Sequence, residues 1–97
     1  MRTLEAEITW RTEAEGCLEQ PFSGIRPSFA VGGDLVMSRV DAMDGSADMQ
    51  RGKCYNVLID LPYGEHYKEH LQVGMEARLQ VGARIIGSGV VTKIRPS

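Results

Sequence analysis

Cysteine is scarce in this chain of 97 residues. Cys17 and Cys54 are too few and too far apart for a zinc knuckle or a CxxC redox pair, and in a reducing compartment both stay thiols. Cys54 heads an apolar run and reads as a small core residue, whereas Cys17 stands in a polar loop and reads as exposed. Long apolar runs are absent too. None approaches the ~18 residues of a membrane span, and Glu5 and Glu7 stand where a signal peptide needs an apolar stretch. The expected address is the cytoplasm, with no membrane contact. The chain has no Gly-x4-Gly-Lys-Ser/Thr loop to cradle a nucleotide phosphate. No serine stands in a nucleophile elbow, and neither histidine has a partner at triad spacing. Neither an enzyme nor a cofactor is expected.

What is present is an ordinary globular composition, 42% hydrophobic and 25% charged, which argues against disorder. The chain has room for one domain over residues 1–97. Its net charge of −2 is not that of a nucleic-acid binder taken whole. The charge is uneven, however: residues 1–49 carry a balance of −5 and residues 50–97 a balance of +3. Such asymmetry marks either a basic face or two halves that attract each other within one fold. Eight of the eleven bases are arginine, which suits bidentate contacts to carboxylate or phosphate.

The hydrophobic period is two almost throughout. Leu4, Ala6, Ile8 and Trp10 alternate with Glu5, Glu7 and Thr9, as do Tyr55, Val57, Ile59 and Leu61 with their neighbours, and Met75, Ala77, Leu79 and Val81 with theirs. Strands are expected over 3–11, 24–31, 35–43, 53–61, 74–81 and 84–95. Pro27 places the second at an edge or bend, because proline lacks a ladder donor. Gly32-Gly33-Asp34, Asp44-Gly45-Ser46, Pro62-Tyr63-Gly64 and Gly82-Ala83 read as turns. Glu65 to Leu71 reads as one helical turn or an open loop. Leu4, Ile8, Trp10, Phe29, Val57, Ile59, Leu79, Ile86 and Val90 are the expected core. Six short strands imply a sandwich or a small barrel, and the glycines inside the last strand favour a barrel with a sharp bend.

Three motifs in order carry a resemblance. Leu79-Gln80-Val81-Gly82-Ala83-Arg84-Ile85-Ile86-Gly87-Ser88-Gly89-Val90-Val91-Thr92-Lys93-Ile94 resembles the closing hairpin of the C-terminal domain of elongation factor Tu. Leu4-Glu5-Ala6-Glu7-Ile8 is similar to that family's opening strand, and Pro21-Phe22-Ser23-Gly24-Ile25-Arg26-Pro27-Ser28-Phe29 to its Pro-Phe-x-x-Gly-Tyr-Arg-Pro-x-Phe segment. The resemblance implies a six-stranded antiparallel closed β-barrel standing without its GTPase domain. Met1 just before the first strand and Ser97 just after the last suggest a complete small protein. In the family this barrel packs against neighbouring domains and helps hold the T-stem of aminoacyl-tRNA. At two of the family's tRNA-contacting places this sequence has Ser28 and Val81.

The expected function is a non-catalytic binding module with a protein partner. The alternative is an RNA- or tRNA-associated translation accessory module whose RNA contact is weak. Arg26, Ser28, Arg84 and Lys93 are the binding candidates within the matched motifs. Tyr63 and Tyr67 flank the charged loop and are surface candidates. Trp10, Tyr55, Phe22 and Phe29 are aromatic enough to stack on bases but read first as packing residues. No metal is expected; His66 and His70 are weak candidates, since His-x3-His on a helix would present both rings on one face. With no phosphate-cradling loop, calorimetry at micromolar protein is expected to give no saturable heat with GTP.

Overall fold

Alternation along the first strand sets the frame. The structure, a computed structural model, describes residues 2–96; Met1 and Ser97, which bracket the expected strands, lie outside them. In β1 (Arg2–Trp10), Leu4, Ala6, Ile8 and Trp10 are buried, while Glu5, Glu7 and Thr9 face outward. The other strands are β2 (Ser28–Val31), β3 (Asp34–Met37), β4 (Arg39–Ala42), β5 (Cys54–Leu61), β6 (Glu76–Val81) and β7 (Arg84–Ile94). They form one antiparallel sheet in the order β3-β2-β6-β7-β1-β5-β4, curled around a single core. Complete burial of a side chain the size of Leu4, Ile8, Phe29, Ile59 or Leu79 contributes about 1.5–3 kcal/mol. Among the described residues no helix is long and apolar enough to cross a membrane.

The sheet is curled and seven-stranded; it is not the closed six-stranded barrel expected. The expected third strand is divided at Ser38, with β3 pairing with β2 and β4 with β5. The expected second strand keeps only Ser28–Val31. One cause explains both. The β2–β3 register, Ser28 opposite Met37, continues beyond the strand ends to an isolated bridge of Ile25 with Val40. In that register Pro27 stands opposite Ser38, and proline has no N–H to give. The buried Ser38 hydroxyl instead donates to the Pro27 carbonyl at 2.7 Å.

The last strand differs in phase. Leu79 pairs with Gly87 but Gln80 with Ile85, so Ile86 is an extra residue. On the other side Glu5 pairs with Lys93 but Ala6 with Val91, so Thr92 is a second. Each bulge flips the alternation. Ile86 is buried as expected, but past it Gly87, Gly89 and Val91 take the inward register positions. Val91 rather than the expected Val90 therefore joins the core, and Val90 is half-buried opposite Glu7 and Glu76. The two cysteines also exchange the expected places: Cys17 is buried and Cys54 exposed.

Both ends of the core are capped. Near the end of β1, Trp10 is fully buried and its Nε1 donates to Met49 Sδ at 3.3 Å, with Cys17 and Pro21 also buried. At the other end a 3₁₀ helix, η1 (Gly64–His70), leads into the buried Leu71.

Gly89 holds β7 against β1. A Cβ there would overlap the Glu7 carbonyl oxygen, and one at Gly87 would come within 2.9 Å of Trp10 Cε3. Close approach, and not a bend, makes glycine necessary at 89. Gly89→Ala and Gly89→Val are expected to lower stability, the latter by about 1–3 kcal/mol. An unchanged urea midpoint for both would refute this reading.

Candidate interaction cleft

The loop after β1 builds the site. Arg11 N–H donates to the Ile86 carbonyl at 2.8 Å, tying the loop's start to β7. Thr12 and Glu15 then clasp each other: Thr12 N–H and Oγ1 both donate to Glu15 Oε1 at 3.0 Å, and Glu15 N–H returns to Thr12 Oγ1 at 3.3 Å. This is the reciprocal pairing of a capping box, here used to fix a turn. The backbone and side-chain bonds from Thr12 hold the Glu15 carboxyl below the usual glutamate range. The clasp is therefore complete above that range and is lost as pH falls through the lowered value. From the other side Arg51 Nη1 donates to the Leu18 carbonyl at 2.8 Å.

With its backbone held on both sides, the loop leaves Leu18 half exposed, at 52%. Between it and the β6–β7 hairpin lies a cleft of about 180 Å³. Leu18, Ile25, Val81 and Ile86 line it, and Val81 is itself 47% exposed. Cys17 is a buried part of the lining; its Sγ donates to the Glu19 carbonyl at 3.3 Å, and burial pushes its thiol pKa up. Two exposed charged side chains, Glu19 and Arg84, also line the cleft, together with Gly16.

The structure gathers some of the expected residues here and disperses the others. Arg84 lines the cleft, and the exposed Arg26 directly follows Ile25. Among the described residues neither arginine has a carboxylate within salt-bridge distance, whereas Arg2, Arg39, Arg51, Arg78 and Arg95 each do. Ser28 lies in the β2 ladder opposite Met37 and Gln80. Lys93 is near the far end of β7, opposite Glu5. Tyr63 precedes η1 and is exposed. Tyr67 Oη donates to Asp34 Oδ2 at 3.0 Å, which raises the phenol's pKa and ties η1 to the β2–β3 turn.

The histidine pair does not share a face. In a 3₁₀ helix successive residues turn by about 120°, so positions four apart diverge by about a third of a turn. His66 is exposed, and the His70 ring lies over Gly32. Among the described residues no group of three potential ligands comes together. Of the aromatic residues, Trp10 and Phe29 are fully buried, Tyr55 Oη accepts the Gln50 N–H, and Phe22 is partly exposed.

Sequence reasoning did not single out Leu18, Ile25 or Ile86 as cleft residues. Leu18 carried a signal, being an isolated large apolar residue within the polar stretch from Glu13 to Gln20. Ile25 and Ile86 read as ordinary strand residues, and only folding brings them to one place. No protein-family model matches the chain, and no curated protein matches it significantly.

The cysteine placement gives a direct check of the cleft. A water-soluble thiol reagent at neutral pH is expected to modify Cys54 quickly and Cys17 slowly. Cys54→Ser should remove the fast phase; a fast phase that persists would mean that Cys17 is open to solvent.

Proposed function

We propose that the chain is a non-catalytic binding module that takes a protein partner in the cleft between the 12–20 loop and the β6–β7 hairpin. The observation that carries this is the pair Leu18 and Val81, half exposed around one apolar cleft with the exposed Arg84 beside them. Isolated exposed apolar residues are common on surfaces. Several converging on a concavity mark a place where a partner's side chain displaces water. The volume suits one or two aliphatic side chains, and Arg84 stands ready for a carboxylate beside them.

The kinship we propose is with the third barrel of elongation factor Tu, held here as a curled seven-stranded sheet. The Ile25–Val40 bridge supports this, because it continues the β2–β3 register past Pro27 and sets the segment before β2 against β4, curling the sheet toward a barrel. In a full-length factor such a barrel has broad faces covered by other domains, and faces of that kind suit a protein partner.

Arg26 and Arg84, without a carboxylate partner among the described residues, favour RNA as the second reading. Salt separates the two. Affinity capture from nuclease-treated extract of the source cells should retain a protein at moderate salt, and Val81→Arg or Leu18→Asp should weaken that capture by about tenfold, or ~1.4 kcal/mol. Binding to tRNA in a filter assay should be weaker than about micromolar at physiological salt. Were RNA the partner, affinity would fall with a log–log slope of about −0.7 per neutralised phosphate, and Arg84→Ala would remove about one contact from it. Sub-micromolar tRNA binding at physiological salt, lost in Arg84→Ala, would replace the protein reading with the RNA one.

A further inference from the structure

The division of the long strand at Ser38 leaves β3 with a neighbour on one side only. β3 stands at the end of the strand order and pairs with β2 alone. The geometry of the hairpin decides which of its main-chain groups are free. Gly32 and Gly33 have φ of 60° and 83°, both positive, so they form a two-residue type I′ turn flanked by the pair Val31 and Asp34. In such a hairpin the flanking pair is hydrogen-bonded, and bonded pairs alternate with non-bonded ones. Asp34 and Val36 therefore bond to β2, and the N–H and C=O of Leu35 and Met37 point out from the sheet's edge. Among the described residues no hydrogen bond from elsewhere in the chain reaches them.

The side chains of the same two residues are half exposed, Leu35 at 50% and Met37 at 54%. Edge strands are usually protected by being very short, by charge, by proline, by a bulge or by a covering element. Here β3 is short and carries a charge at Asp34, next to the turn, but Leu35, Val36 and Met37 have neither charge nor proline. The contacts of η1 with this hairpin fall at its tip, through Tyr67 to Asp34 and His70 over Gly32. They leave Leu35 and Met37 open.

We infer that the β3 edge pairs with the β3 edge of a second copy of this chain, forming a two-fold antiparallel dimer through Leu35 and Met37. The occupant follows from self-complementarity. In an antiparallel pair centred on Val36, Leu35 of one copy stands opposite Met37 of the other, and the reverse holds by symmetry. Each such pair exchanges two main-chain hydrogen bonds, making four in all. The four half-exposed side chains then cover one another. Asp34 falls opposite Ser38, so no like charges face each other. The interface is much smaller than the ~1,600 Å² of a standard complex, so the dissociation constant is expected near about a millimolar or somewhat below. This inference does not rest on the cleft.

Two measurements on the full chain test it. Sedimentation equilibrium between about 0.05 and 1 mM should show the average mass rising from 10.7 kDa toward twice that value. Over the same range, amide exchange should slow at Leu35 and Met37 and stay constant at Asp34 and Val36, which β2 already holds. Leu35→Lys should abolish both effects with an unchanged urea midpoint, and Val81→Arg should alter neither. The inference is overturned by a constant monomer mass with unprotected edge amides. It is equally overturned by a dimer that persists in folded Leu35→Lys, or by one lost in Val81→Arg, which would place the contact at the cleft.

Discussion

The hydrogen bond from Ser38 Oγ to the Pro27 carbonyl occupies the point in the hairpin where a regular ladder would require an N–H that proline lacks. On one side of it the register continues as β2 and β3; on the other it survives as the bridge between Ile25 and Val40. Without a partner, the buried serine hydroxyl and the carbonyl it serves would carry a desolvation penalty of roughly 1–3 kcal/mol each. With it, the chain can change neighbours within one residue, from β2 to β5, without leaving the core. The free edge of β3 and the placement of Ile25 in the cleft both descend from this junction.

A second constraint acts across the sheet. β7 carries two extra residues, and two glycines lie between them. The bulges rotate the strand so that Gly87 and Gly89 face the interior, where side chains would otherwise be expected. The space released at Gly87 is taken by Trp10, and Gly89 lets β7 approach the Glu7 carbonyl. The large buried indole and the absent side chains are thus two halves of one packing solution. Because Trp10 also reaches Met49, the same solution anchors the segment that closes this end of the core.

The cleft arises where those constraints meet the loop after β1. Arg11 bonds to Ile86, the bulged residue of β7, and Arg51 holds the Leu18 carbonyl. The loop backbone is satisfied, so Leu18 can stay half exposed without exposing unpaired polar groups around it. The opposite end of the core is treated differently: η1 covers it and is tied through Tyr67 to the β2–β3 turn. One end is sealed by a helix, and the other carries an apolar recess with an exposed arginine beside it.

Much of this architecture was legible in the residues. Period-two alternation located β1, β5 and β6 to within two residues, and the glycine turns marked the hairpins, because a half-buried strand must alternate and a two-residue turn must take positive φ. Eight of the nine expected core residues are buried. The break at Ser38 was not legible, although Pro27 was visible, because the partner of a missing donor is set by register. The exchange of Val90 for Val91 has the same origin, a bulge that shifts phase without changing local composition. Cys17 is buried because its loop folds back, whereas Cys54 is exposed in plain alternation, in phase with Asn56 and opposite to Val57 and Ile59. Arg84 could be named from the sequence, but its company of Leu18, Ile25, Val81 and Ile86 could not. Those residues are distant along the chain, and their convergence depends on which strands pair and where the ladder is interrupted. Sequence alone determined the local conformations, through alternation and backbone freedom, whereas tertiary structure decided which side chains share a surface, since that depends on register between segments far apart in the chain.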